Sequence, residues 1–189
     1  MKKIPTIFKR NPDDPSRLLD EINPACRWVF DGEGIATRKW DGTAVLIRSG
    51  NIFQRYDCKK GRTAPPFFEP ADDPDEVTGH WPGWIPVSEG PDGQYFREAL
   101  ANWKEAFGAG PNDGTYELLG PKVNGNPERL TRHELIKHGV TAATPLSPLT
   151  LGSLKEYFNA VDYEGIVWHH PDGRMAKIKG RDFGIKRFP

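Results

Sequence analysis

Cysteine is scarce in this chain. Cys26 and Cys58 are its two cysteines, too few for a disulfide scaffold and without metal-ligand spacing. A reducing compartment is the default for such a chain. An excess of charge of either sign is also missing: 26 Lys and Arg stand against 26 Asp and Glu, a formal net charge of zero. That excludes the global basic field that a non-specific nucleic-acid binder often carries. Long hydrophobic runs are absent too. With no apolar h-region at the N-terminus and no run of membrane-spanning length, the sequence reads as a cytoplasmic protein without a membrane partner. No internal repeat or low-complexity segment stands out.

The 189 residues are read as one domain, 1–189, long enough to bury a core. Twenty glycines and eighteen prolines favour short strands and long loops over a helical bundle. Residues 1–20 begin basic and become Pro/Asp-rich, and Cys26 to Phe30 reads as a short strand. Ala44 to Arg48 and Asn51 to Tyr56 form a hairpin around Ser49-Gly50. Residues 63–93 are a long Pro-rich loop in which Trp81 and Trp84 either pin the loop or stack on a base. Gln94 to Phe107 is a helix with Phe96, Leu100, Trp103 and Phe107 on one stripe. Thr115 to Leu119 is a strand, and Leu130 to His138 a helix with a Thr131–Glu134 capping box. A short helix at Leu154 to Phe158 and a hairpin around Pro171-Asp172-Gly173 follow.

Chemistry concentrates in charged residues that strands do not need. Lys39, in Arg38-Lys39-Trp40-Asp41-Gly42, stands at the mouth of the 44–48 strand beside a carboxylate and a glycine that permits close backbone approach. Its bland alternative is a solvated Lys–Asp pair on a hairpin. Glu117 and Glu164 are each a carboxylate on an otherwise apolar strand. Lys177 and Lys179 are two apart on one strand, so their ammonium groups share a face and repel unless an anion lies between them. Phosphate is the obvious candidate. A lysine attacks phosphorus only when neutral, and neighbouring cations favour the neutral form, so Lys177 and Lys179 would tune Lys39 while balancing phosphoryl charge. Glu164 suits a divalent ion with few protein ligands, Mg²⁺ with Mn²⁺ able to substitute, and Glu117 can accept hydrogen bonds from ribose. The five histidines offer no metal pair: His169 and His170 are adjacent, hence on opposite strand faces, and His80, His133 and His138 have no evident partners.

Lys39-Trp40-Asp41-Gly42, Tyr116-Glu117-Leu118-Leu119-Gly120, Glu164-Gly165-Ile166-Val167 and Lys177-Ile178-Lys179 together resemble the ordered motifs of the covalent nucleotidyltransferases, spanning about residues 36 to 181. The superfamily includes DNA ligases, RNA ligases and capping enzymes. The resemblance implies an α+β fold, an antiparallel-sheet adenylyltransferase of ATP-grasp-like ligase type with a few short helices and the nucleotide between two sheets. It implies that Lys39 takes AMP from ATP, that AMP passes to a 5′-phosphate end, and that a 3′-hydroxyl displaces it. It also places Asp41 as the group orienting the nucleophile, Thr37 and Arg38 near the adenine edge, and Arg55 at the sugar or the end being joined.

The segment after Leu119, Lys122-Val123-Asn124-Gly125-Asn126-Pro127, and the Trp-Pro-Gly-Trp stretch are most similar to the vertebrate-type 5′-to-3′ RNA ligases and their viral and microbial relatives. Only Gly180 to Pro189 follows the lysine pair, so no OB-fold is expected; that basic, aromatic tail either holds phosphate or a stacked base, or packs on the core. The expectation is thus an ATP-dependent RNA ligase, monomeric, acting on RNA with 5′-phosphate and 3′-hydroxyl ends. A GTP-using capping enzyme, a DNA ligase core and an inactive nucleotide- or RNA-binding module are the alternatives.

Overall fold

The structure, a computed structural model, describes residues 3–187; the basic start at Met1 and Lys2, and Phe188 and Pro189 of the tail, lie outside the described residues. The strands are β1 (Phe8–Arg10), β2 (Leu18–Ile22), β3 (Ile35–Lys39), β4 (Thr43–Arg48), β5 (Asn51–Cys58), β6 (Glu69–Pro70), β7 (Trp81–Pro86), β8 (Gly114–Leu119), β9 (Glu134–Lys137), β10 (Gly165–His169) and β11 (Met175–Lys179). Three α-helices accompany them: α1 (Arg27–Phe30), α2 (Gln94–Phe107) and α3 (Leu151–Ala160). Every pairing between these strands is antiparallel, so the chain is α+β with antiparallel sheets and few helices. Among the described residues no helix is long and apolar enough to cross a membrane.

The chain divides into two compact units, one built from Asp41–His138 with Lys3, the other from Ile4–Trp40 and residues 139–187. In the first, six strands run in the order β6-β7-β5-β4-β8-β9. Val45, Ile47, Tyr116, Leu118 and Leu135 point to one core, which α2 covers with Phe96 and Ala99. The helix spans the residues expected of it, but its buried face is set by Phe96, Ala99 and Trp103, and Phe107 at its end is 67% exposed. Within the Pro-rich stretch, β7 is a full strand between β5 and β6. Both tryptophans serve structure there: Trp84 is buried, and Trp81 donates Nε1–H to the Asp72 carbonyl at 3.0 Å and meets Phe68 edge-on.

Residues 130–138 correct the expected helix. Glu134–Lys137 is a strand paired with β8, Glu117 opposite Ile136 and Leu118 opposite Leu135. The segment is too short to sustain a helix on its own, and pairing with β8 buries Leu135 as a helix here would not. Cys26 to Phe30 is corrected the other way. Asn23 Oδ1 accepts from Ala25 N at 3.1 Å and Pro24 leads the turn, so a 3₁₀ turn runs into α1. Asn-Pro is a helix-start signal, and it overrides the strand propensity of Val29 and Phe30.

The second unit holds a three-stranded sheet, β11-β10-β3, and the β1-β2 hairpin. Its core comprises Ile7, Phe8, Trp28, Val29, Leu154, Tyr157 and Phe158 against Ile166, Trp168, Ala176 and Ile178 of the sheet. The free edge of β11 is closed by the N-terminal segment, with Lys177 N donating to Pro5 O at 2.9 Å and Ile7 N to Lys177 O at 3.0 Å. Helix α3 is capped by Thr150, which accepts from Ser153 N at 3.1 Å. Its Leu154 is wholly buried. Leu154→Ala should therefore lower unfolding free energy by about 2–5 kcal/mol, the usual cost of a buried leucine cavity, measured as a shift in the urea midpoint without a change in slope.

Candidate active site

Register places the lysines. Antiparallel pairing sets Gly165 of β10 between Lys39 of β3 and Lys179 of β11, and Val167 between Thr37 and Lys177 in the next row on the same face. The opposite face carries Ile166, Trp168, Ala176 and Ile178 into the core, so burial on one side leaves the charged row on the other. Gly165 is required by close approach: a Cβ there would stand 2.3 Å from the Ile178 carbonyl oxygen. Glu164, expected on the strand, instead stands one residue before it and reaches over this row. One carboxylate oxygen pairs with Lys39 Nζ, and Oε1 accepts from Lys179 Nζ at 2.6 Å. All three side chains are largely buried, with Lys39 the most accessible at 22%. The loop after β11 braces it further: buried Asp182 accepts from Lys179 N at 3.0 Å and pairs with Arg10 at 2.7 Å.

Electrostatics follow from that crowding. Burial pushes Glu164 up, but the Lys39 and Lys179 ammonium groups outweigh it and hold the carboxyl below its ordinary value. Burial, then the charges of Lys179 and Lys39, push the Lys177 amine down to about 8. Lys179 is lowered by the same causes, burial first and then Lys39. The face is thus a set of amines short of anion, with Glu164 as the carboxylate between two of them.

Thr37 is buried, its Oγ1 donating to Val167 O at 3.1 Å and lying 3.1 Å from His169 Nε2. Arg38, on the opposite face of β3, is stacked on the rings of Trp40 at 4.0 Å and Tyr163 at 4.4 Å. His170, just past the end of β10, turns to Glu33 at 2.8 Å and to the Trp28 ring.

In the other unit Glu117, in β8, is buried with both oxygens engaged: Gly42 N donates to Oε1 at 3.1 Å and His138 Nε2 lies 2.7 Å from Oε2. Gly42 has no room for a side chain, since a Cβ would sit 2.1 Å from Leu118 O. Asp41 N donates to Glu128 at 3.2 Å, and its carboxylate accepts from Asn124 at 3.3 Å. Arg55 stands over Trp84 at 5.5 Å, and burial lowers its pKa against the pull of Asp57 and Asp72. The histidines read as partnerless are corrected here: His138 holds Glu117, His80 lies 3.1 Å from Asp57, and His133 lies 3.0 Å from Glu98. His138 escaped notice because its segment reads as a helix; as a strand opposite β8, it falls two residues past Ile136 and so on the face of Glu117.

No three His, Cys, Asp or Glu side chains gather as metal ligands among the described residues. Glu164 is a single hard oxygen donor, which fits an ion that keeps water and phosphate as its remaining ligands, the habit of Mg²⁺.

The lowered Lys177 value carries a stability consequence. A folded amine near 8 against an ordinary 10.5 means that the unfolded chain binds more protons between those pH values, so stability rises with pH through that window. Below about pH 8 the full cost is present. Lys177→Met should therefore stabilise the protein at pH 7, on the order of 2 kcal/mol after allowance for solvent screening, with the gap from wild type closing as pH approaches 10.5. Urea titrations at a series of pH values test this.

Residues 111–189 match the family model described as RNA ligase 1. The chain is 30% identical over 142 residues to RNA ligase 1 of Mus musculus, covering 59% of this chain and 42% of that protein. It is 29% identical to RNA ligase 1 of Pongo abelii over 140 residues, 59% of this chain and 43% of the relative. The Danio rerio protein of that name is 29% identical over 141 residues, 60% and 43% respectively. The chain spans about two-fifths of the length of these curated relatives. The segment matched by the family model contains Glu117, Glu164, Lys177 and Lys179, and the similarity supports a relationship of this chain to the RNA ligases.

Proposed function

We propose that the chain carries the nucleotide-transferring chemistry of an ATP-dependent RNA ligase. The observation that carries this reading is one sheet face bearing Lys39, Lys177 and Lys179 with Glu164 between two of the amines. Such a face suits phosphate chemistry, because one amine can attack while the other two stabilise the oxygens on which charge builds. Lys39 is the nucleophile. Its Nζ loses a proton, attacks the α-phosphorus of ATP and forms the P–N bond as the bond to pyrophosphate breaks; a second proton leaves the nitrogen, giving lysyl–AMP. Glu164, already hydrogen-bonded to that nitrogen, holds it in place and is the nearest carboxylate for its proton. AMP then passes to an RNA 5′-phosphate, and a 3′-hydroxyl displaces it to form the phosphodiester.

Lys177 and Lys179 hold the phosphoryl oxygens in this scheme. Glu164 would also hold Mg²⁺, with Mn²⁺ as substitute, and the ion would supply charge neutralisation at the phosphates. An arriving phosphate gives Lys179 a competing anion, which frees Glu164 Oε1 for that role. Glu117 is the acceptor for ribose hydroxyls; each of its oxygens keeps a lone pair beyond the bonds from Gly42 and His138. Arg55, Asp41, Thr37 and Arg38 are assigned to positioning the nucleotide and the nucleophile.

Incubation with Mg²⁺ and ATP labelled at the α-phosphate, followed by denaturation, should leave acid-labile label on the protein that Lys39→Ala abolishes. Lys177→Ala or Lys179→Ala should cut labelling by on the order of a hundredfold, as removal of an oxyanion donor does. Glu164→Ala should impair metal-dependent turnover more than nucleotide binding, and an equal fall in both would remove its metal role. No label from any nucleotide would sink the catalytic reading, and label from GTP alone would move it to capping chemistry.

A further inference from the structure

The second unit has a cavity of about 560 Å³ besides the lysine face. Three stretches of the chain line it: Arg17 before β2 with Leu18 at its start, the first turns of α3 with Leu151 and Lys155, and the 3₁₀ turn Gly180–Phe183 with Arg181 and Phe183. The three cations are exposed. Lys155 and Arg181 have no ion pair with any described residue, while Arg17 is braced by Asp14 at 3.1 Å. One acid, Asp182, also lines the cavity, but it is buried and both its oxygens are spent, on Arg10 and on Lys179 N. Lys155 and Arg181 therefore give the concavity positive charge that no described acid pairs with. Gathering like charges costs free energy that an anion would recover. The apolar walls, Leu18, Leu151 and Phe183, suit the sugar or base flanking a phosphate. Asp182, which lines the cavity, accepts from Lys179 N at 3.0 Å, so the turn that carries Arg181 is tied to the end of the lysine strand within the same unit.

We propose that this cavity is a phosphate site for the backbone of an RNA strand, held by Arg17, Lys155 and Arg181. It rests on the ligase reading for the identity of the strand, not for its charge chemistry. The same side chains would also suit the polyphosphate of ATP, and the test separates the two sources.

Arg17→Glu/Lys155→Glu in the full chain alters only exposed side chains, and circular dichroism confirms the fold. The probe is a short single-stranded RNA with a 5′-phosphate, followed by fluorescence anisotropy across a salt series, with labelling by ATP measured in parallel. RNA affinity should fall about tenfold or more, and the slope of log affinity against log salt should shrink by about 1.4, roughly 0.7 for each lost contact on a single strand. Labelling from ATP should stay at the wild-type level, and Lys155→Arg should keep RNA binding. Unchanged RNA affinity and slope would overturn the proposal. Loss of labelling with RNA affinity intact would overturn it too, assigning the cavity to ATP polyphosphate. Should the wild type take no label while charge reversal still weakens RNA binding, the phosphate site stands and the ligase reading falls.

Discussion

One carboxylate between two ammonium groups governs the second unit's sheet. Lys39 and Lys179 come from strands on either side of Gly165, and pairing brings them into one row whether or not their charges agree. Glu164 offsets their repulsion at hydrogen-bond range. Removing a partner from such a buried cluster leaves uncompensated charge, which costs far more than the intact arrangement gains. The side chain missing from Gly165 matters equally: it keeps β10 close to β11 and leaves the space above the row to the long side chains.

Lys177 shows what happens on the same face without a hydrogen bond to that carboxylate. It shares the face, has burial and two cations against it, and has its affinity for a proton reduced accordingly. A site of this kind is poised for an anion. In the proposed chemistry the α-phosphate takes that place, so the same crowding that weakens the resting fold favours the phosphoryl charge of the transition state. The basic cavity at Arg17, Lys155 and Arg181 extends the theme to the same unit's outer surface, where exposed side chains suit a strand that must bind and leave.

Much of this was legible in the sequence because strand periodicity is simple. Two lysines two residues apart share a face on any strand, and the hairpin around Asp172-Gly173 could be read from turn chemistry. What failed to read was context. The Thr131–Glu134 pattern is a sound local helix signal, yet β8 offered that segment a better partner, and with the strand went the approach of His138 to Glu117. Asn23-Pro24 is a helix start whose signal outweighs its β-prone neighbours. The helix at Gln94–Phe107 was right in extent, but the orientation of its buried face depends on what β4 and β8 present to it.

The sequence by itself determined the strand identity around Lys177 and Lys179 and the shared face of those lysines, because a two-residue period needs no knowledge of the partner; that Lys39 ends a strand of its own, β3, and that Glu164 stands just before β10 rather than on it, it did not determine. Tertiary structure alone decided that Gly165 lies between Lys39 and Lys179, that Glu164 joins them, and that Arg17, Lys155 and Arg181 meet around one cavity. Those facts depend on strand register and on contacts such as that of Lys39 with Glu164, more than a hundred positions apart, which no local pattern encodes.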